Sequence, residues 1–224
     1  MTVKANSVNT WFRILGIVML LLAGMLATMP VKPAEAATNS ITVNLYYANS
    51  SLQESITLNL SQIKALPVQG DGTTHYYHQG PSFDEENMWD PDETVNLKDM
   101  GALNGSDVKD ICEALSATVP SDAEIQIKAA DNFSKTFDYD DIYNPEARQG
   151  KLVVCYEKDG VEAPTWSDGL RLVFFADDCV FGNYDQYLTL DSDERHFYYD
   201  GETYWPSTHG LSVKYVSEIN IYDQ

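Results

Sequence analysis

Short runs in which apolar and polar residues alternate recur along this chain, and they leave few folds open to it. Ile41-Thr-Val-Asn-Leu-Tyr-Tyr47 alternates, and Ile56, Leu58 and Leu60 alternate again after a turn at Ala48–Leu52. A period of two is the pattern of a half-buried strand, so these two runs predict a hairpin. Ile125 and Ile127, then Ser134–Phe137 across an Asp131-Asn132 turn, predict a second hairpin. Lys151–Tyr156 and Leu170–Phe175 are β-rich runs on either side of a Lys158-Asp159-Gly160 turn, and Arg195–Tyr199 is β-prone. Val213, Tyr215, Ile219 and Ile221 mark strand positions in a closing segment, Ser212–Ile221. Helical periodicity is confined to Val108, Ile111, Cys112 and Leu115, spaced i, i+3, i+4 and i+7 behind Ser106 as cap. Ser61 predicts the cap of a short helix, Gln62–Leu66, that Pro67 stops, and Asp140–Ile142 reads as one further helical turn. Many short strands with few short helices predict an α+β domain built on mixed β-sheets.

The N-terminus predicts export. Lys4 and Arg13 precede an apolar run from Ile14 to Met29, and Ala34-Glu35-Ala36 places small residues where a signal peptidase reads. Residues 1–36 are thus expected to be a secretory signal and residues 37–224 a single domain that is secreted or held at the cell surface, outside the cytoplasmic membrane. The competing reading is an uncleaved anchor, but a spanning helix needs roughly 20 apolar residues. This run is shorter and meets Pro30.

Charge narrows the partners. The chain carries a formal charge of −20. Lys4, Arg13, Lys32 and Glu35 fall before residue 37, which leaves 11 basic and 33 acidic residues and a net charge of −22. Nucleic acid and anionic lipid are excluded as expected partners, because both need clustered Lys and Arg. Such an excess of carboxylates serves solubility or binds cations, calcium foremost. Gly70–Glu93 predicts a long acidic loop with at most a strand around Tyr76, and it holds the candidate metal donors His75, His78, Asp90 and Asp92. Imidazole and carboxylate form a plausible mixed donor set. On a straight strand, however, residues i and i+3 face opposite ways, so both histidines reach one ion only across a bend. Asp191-Ser-Asp-Glu194 opens like a calcium loop but lacks the glycine and glutamate that complete one.

Cys112, Cys155 and Cys179 are an odd set without a C-x-x-C spacing. Cys112 and Cys155 read as core residues, and Cys179, after Asp177-Asp178, as the exposed one. Cys179 with His196 or His209 is the available thiol–imidazole combination, and no Gly-x-Ser-x-Gly occurs. Asn49, Asn59, Asn104 and Asn132 each begin a glycosylation-type triplet.

The order of the segments resembles a known family. Ile56-Thr-Leu-Asn-Leu-Ser-Gln-Ile-Lys-Ala-Leu-Pro67 is similar to the strand and short helix that open the sulfite-oxidase-type molybdopterin-binding domain. Val95-Asn-Leu-Lys-Asp99 and Val108-Lys-Asp-Ile-Cys-Glu-Ala-Leu115 resemble its helical region, and Ile125–Asp141 its following hairpin. Gly150–Pro164 with Asp168-Gly-Leu-Arg-Leu-Val173, and then Lys214-Tyr-Val-Ser-Glu-Ile219, resemble its later strands. Val180–Asp185 and Gly210–Ile219 further resemble an exported, poorly characterised prokaryotic branch. The resemblance implies that fold. In enzymes of the family a cysteine after the first strand–helix unit ligates molybdenum. Here Gly70–Asp92 contains no cysteine, and Tyr76, Tyr77 and His78 stand in that region. Enzymes of the family also hold the pterin phosphate with basic residues, whereas only Arg148, Arg171 and Arg195 remain after residue 36.

No cofactor is therefore expected, and the leading expectation is a non-catalytic exported domain that binds a small ligand, a metal ion or an extracellular protein. A molybdopterin-dependent oxidoreductase is the first alternative and a structural cell-surface module the second. An exposed aromatic patch favours a surface module, and a polar cleft favours ligand binding.

Overall fold

Each alternating run buries its apolar residues on one face. The computed structural model describes residues 38–224, and the secretory segment read at residues 1–36 lies outside the described residues. Strand β1 (Ser40–Tyr46) turns Ile41, Val43 and Leu45 inward and pairs antiparallel with β2 (Leu52–Asn59). A four-residue helix, α1 (Leu60–Ile63), follows. Its cap is Asn59 and not Ser61. The Asn59 side chain accepts from the Gln62 N–H while Gln62 Oε1 accepts from the Asn59 N–H, so two otherwise orphaned donors are satisfied at once.

The stretch read as a loop from Gly70 is instead a long strand, β3 (Val68–Gln79), paired with β4 (Leu97–Asp107). Its polar residues conceal the pairing, and register shifts between Gly70 and His75 break the alternation. Gly70 makes that irregularity possible. Its φ of +87° suits glycine, and a Cβ there would meet the Leu103 carbonyl.

Helix α2 (Val108–Cys112) is capped by Asp107, and Ser106 donates instead to the Ile63 carbonyl. Then come β5 (Glu124–Ala129), β6 (Ser134–Asp138), α3 (Tyr139–Tyr143), β7 (Lys151–Lys158), β8 (Val161–Glu162), β9 (Arg171–Phe175) and β10 (Val180–Phe181). Helix α4 (Asn183–Thr189), the hairpin β11 (Phe197–Tyr199) and β12 (Tyr204–Pro206), a 3-10 turn at Thr208–Leu211 and β13 (Val216–Tyr222) complete the chain.

Two mixed sheets result. The first has the order β2-β1-β13-β5-β6, with β1 and β13 parallel. The second has the order β10-β3-β4-β7-β8, with β9 also on β7 and β10 parallel to β3. Strand β7 is buried on both faces, which accounts for its continuous apolar run. Leu152, Val154 and Tyr156 join the main core with Ile41, Ile127, Phe137, Leu172 and Ile219. Val153 and Cys155 join a smaller cluster with Met100, Leu103, Trp166 and Val173 on the other side. The α+β class with mixed sheets and short helices is thus the architecture observed.

Candidate functional site

A cavity of ≈ 310 Å³ is lined by the β5–β6 turn, the start of β9, the residue before β11 and the segment between the 3-10 turn and β13. Its lining includes Arg171, His196, His209, Ser212, Lys214 and Tyr215. In a chain with 14 basic residues against 34 acidic ones, this is an unusual concentration of positive and imidazole groups.

Arg171 forms the floor. It is 6 % exposed, on the same face of β9 as Val173 of the smaller core cluster. Its Nε donates to Ser212 Oγ at 2.8 Å, one Nη to Asp168 Oδ2 at 3.1 Å, and the other only approaches the Met100 sulfur at 4.0 Å. A guanidinium has more N–H donors than these partners take up. Lys214 Nζ reaches the same Asp168 oxygen at 2.9 Å. One carboxylate is thus shared between two cations, and a second, that of Asp131, also lines the cavity.

Two histidines wall the cavity. Lys135 Nζ lies 3.1 Å from His196 Nδ1. An ammonium can only donate, so Nδ1 accepts and the ring hydrogen sits on Nε2. The ring edge carrying Nε2 lies over Gly210, where any Cβ would overlap the imidazole. His209 Nδ1 is buried without a hydrogen-bond partner. Burial pulls the His196 pKa down to about 4, helped by Lys135, and pulls His209 to about 4, helped by Arg171 and Lys214. Both rings are neutral near pH 7 because burial, more than the surrounding cations, opposes their protonation. Tyr215 completes the wall with a φ of 55°, a conformation that bulky residues seldom adopt and that occurs preferentially where a structure holds a functional group in place.

Larger clefts of ≈ 470 and ≈ 410 Å³ lack this chemistry. Lys151, in the first, is paired with Asp107 at 3.2 Å. Lys109, in the second, stands over the Tyr143 ring.

The four candidate metal donors do not converge on one point. His75 is exposed and pairs with Asp99 through Nδ1 at 3.0 Å. His78, three residues on, points into the core, where its Nε2 accepts from the Phe174 N–H between Phe174 and Phe181. The strand keeps the two rings on opposite faces. Asp90 is buried, and its Oδ2 accepts from Gln79 Nε2 at 2.6 Å and from the Thr94 and Val95 N–H groups. Asp92 is exposed. Among the described residues no group of three or more His, Cys, Asp or Glu side chains is placed to hold a metal ion. The Asp191–Glu194 segment is a turn in which Glu194 accepts from the Asp191 and Asp138 N–H groups.

The sulfurs lie elsewhere too. Cys112 and Cys155 are buried in separate clusters, and burial raises both thiols. Burial and Asp178 raise the Cys179 thiol, the opposite of activation, and neither His196 nor His209 accompanies it. No sulfur lines the cationic cavity, so the residues present do not fit a thiolate-held molybdopterin there.

In the sequence Arg171 stood only as one of three remaining arginines, and the two histidines only as possible partners of Cys179. The signal was scarcity: few cations exist, so two that meet beside two imidazoles are informative. No protein-family model, curated protein or solved structure matches the chain.

Proposed function

We propose that the chain is an exported, non-catalytic domain that binds a small anionic ligand, on a scaffold of the sulfite-oxidase molybdopterin-domain kind. The scaffold reading rests on the collinear order of the five segments between Ile56 and Ile219. The observation that carries the binding reading is Arg171, a buried guanidinium with donors left over, facing a cavity that also receives Lys214, His196 and His209. A cavity of ≈ 310 Å³ suits a compact carboxylate or inorganic oxyanion. The neutral histidines supply N–H donors, and a bound anion would raise their pKa values, so binding takes up protons and strengthens as pH falls.

The test is thermal unfolding of residues 37–224 in sulfate, phosphate and a series of small carboxylates, against chloride at matched ionic strength so that screening is constant. A bound anion at a hundredfold excess over its Kd raises Tm by roughly 5–10 °C. The rise is expected to shrink in Lys214→Gln and in His209→Gln. Equal melting in every anion, or an undiminished rise in both variants, overturns the reading.

A further inference from the structure

A strip of aromatic rings runs from α4 onto the β11–β12 hairpin, and nothing in the cavity's chemistry accounts for it. Tyr184 stacks on Tyr187 at 5.9 Å, Tyr187 meets Trp89 at 4.9 Å, and Trp89 meets Phe197 at 5.9 Å. Tyr199 lies two residues beyond Phe197, on the same face of β11, and stacks at 4.6 Å on its cross-strand partner Tyr204. These are not core rings: Tyr187 is 45 %, Tyr199 51 % and Tyr204 64 % exposed. Exposed aromatic rings that adjoin one another are the kind of surface that interaction sites use.

The surroundings select the partner. Residues 82–92 and 197–206, which supply most of the strip, contain seven carboxylates and no lysine or arginine. Asp84, Glu85, Glu86, Asp92, Asp200 and Glu202 are exposed. Asp200 accepts from Trp205 Nε1 and from two backbone N–H groups, which hold its carboxyl ionised, below its ordinary range. The rings already take cations from within the chain: Arg195 Cζ stands 4.9 Å from the Tyr187 centroid and Arg148 Cζ 5.9 Å from that of Tyr184. Ring faces carry partial negative charge, and a carboxylate rim reinforces it.

We infer that this strip is a docking surface for a basic, arginine- or lysine-bearing segment of a partner protein. Side chains of the partner stack on Tyr187, Tyr199 and Tyr204 while its charges meet the surrounding carboxylates. This surface is independent of the anion cavity, and neither reading requires the other.

The experiment titrates residues 37–224, by tryptophan fluorescence and calorimetry, with a peptide of Arg–Ser repeats, a Glu–Ser peptide of equal length, and cellohexaose. Tyr199→Ser/Tyr204→Ser removes the tip of the strip without changing net charge, and Tyr187→Ser does the same on α4. An unchanged Tm confirms that each variant is folded. The expected result is binding of the Arg–Ser peptide alone, weakened about tenfold in both variants and weakened further by salt. Equal binding by wild type and both variants means charge attraction without a site and overturns the proposal. So does binding of cellohexaose in preference to the peptide. Concentration-dependent dimerisation that the variants abolish, seen by sedimentation, overturns it in favour of a second copy of this chain.

Discussion

Asp90 shows how one carboxylate in an acidic run can hold a loop. In sequence it belongs to a run of acids, Asp84 to Glu93, that suggests calcium. In the fold its Oδ2 takes three hydrogen bonds, from Gln79, Thr94 and Val95, and its Oδ1 faces Asn87 Nδ2 at 3.4 Å. Charge-assisted bonds of this kind contribute about 1.5–3 kcal/mol each, and losing an acceptor strands its donors. Asp90→Ala is expected to lower stability by about 2–4 kcal/mol in urea unfolding, with no difference between millimolar calcium and chelator. A stability change that appears only with calcium present would restore the metal reading. Gly210 constrains the molecule at the same scale. It has no side chain because the His196 imidazole occupies that space, so a donor of the cavity is positioned by an absence.

Elements were legible where apolar residues carried their period. Strands β1, β5, β7 and β9 lie close to where Ile41–Tyr47, Ile125–Ile127, Lys151–Tyr156 and Leu170–Phe175 placed them. Helix α4 escaped because its buried residues are polar: Asn183, Asp185 and Gln186 face inward, and no hydrophobic stripe announces them. Asn183 and Asp185 are satisfied by a network instead, and Gln186 Oε1 accepts from the His196 N–H while its Nε2 is left without a partner. Asn183 N–H donates to Gln79 Oε1, Asn183 Nδ2 to the Gly80 carbonyl, and Thr208 N–H to Asn183 Oδ1. Thr208 Oγ1 donates to the Phe181 carbonyl at 2.6 Å and accepts from the Gln79 N–H at 2.8 Å. One hydroxyl thereby joins β3, β10 and the 3-10 turn. Thr208→Val keeps the shape but strands a buried N–H and a carbonyl, so a loss of about 1–3 kcal/mol is expected by urea unfolding. A neutral substitution would show that the network contributes nothing net. The cavity was illegible for a related reason: its residues come from four separate segments, and only tertiary structure brings them together.

At the scale of the whole molecule, two sets of titrating groups oppose each other. His78, His196 and His209 are held neutral by burial, with pKa values near 3, 4 and 4. Their stabilisation is complete above the unfolded value, about 6.5, and is lost as pH falls through the folded values. Glu93 and Asp141 run the other way. Burial, with the facing carboxyls of Asp185 and Glu194, pushes each up to about 8, and Asp178 adds to Glu93 what Arg148 partly offsets. Their stabilisation is complete below the ordinary carboxylate range and is lost as pH rises through about 8. The two sets oppose between roughly pH 4.5 and 6.5, and above that only the carboxyls act. Stability is therefore expected to decline from about pH 6.5 to 8, with a shallower decline in Glu93→Gln; stability rising over that range would contradict the assignment. Topology has a consequence of another kind. Strand β13, which follows the other four in sequence, lies between β1 and β5, so the first sheet stays divided until residues 216–222 arrive. A chain emerging N-terminus first holds β1 and β5 apart until β13 follows. Its earliest strand must wait beside an open slot, dependent on whatever keeps unpaired edges apart in the meantime.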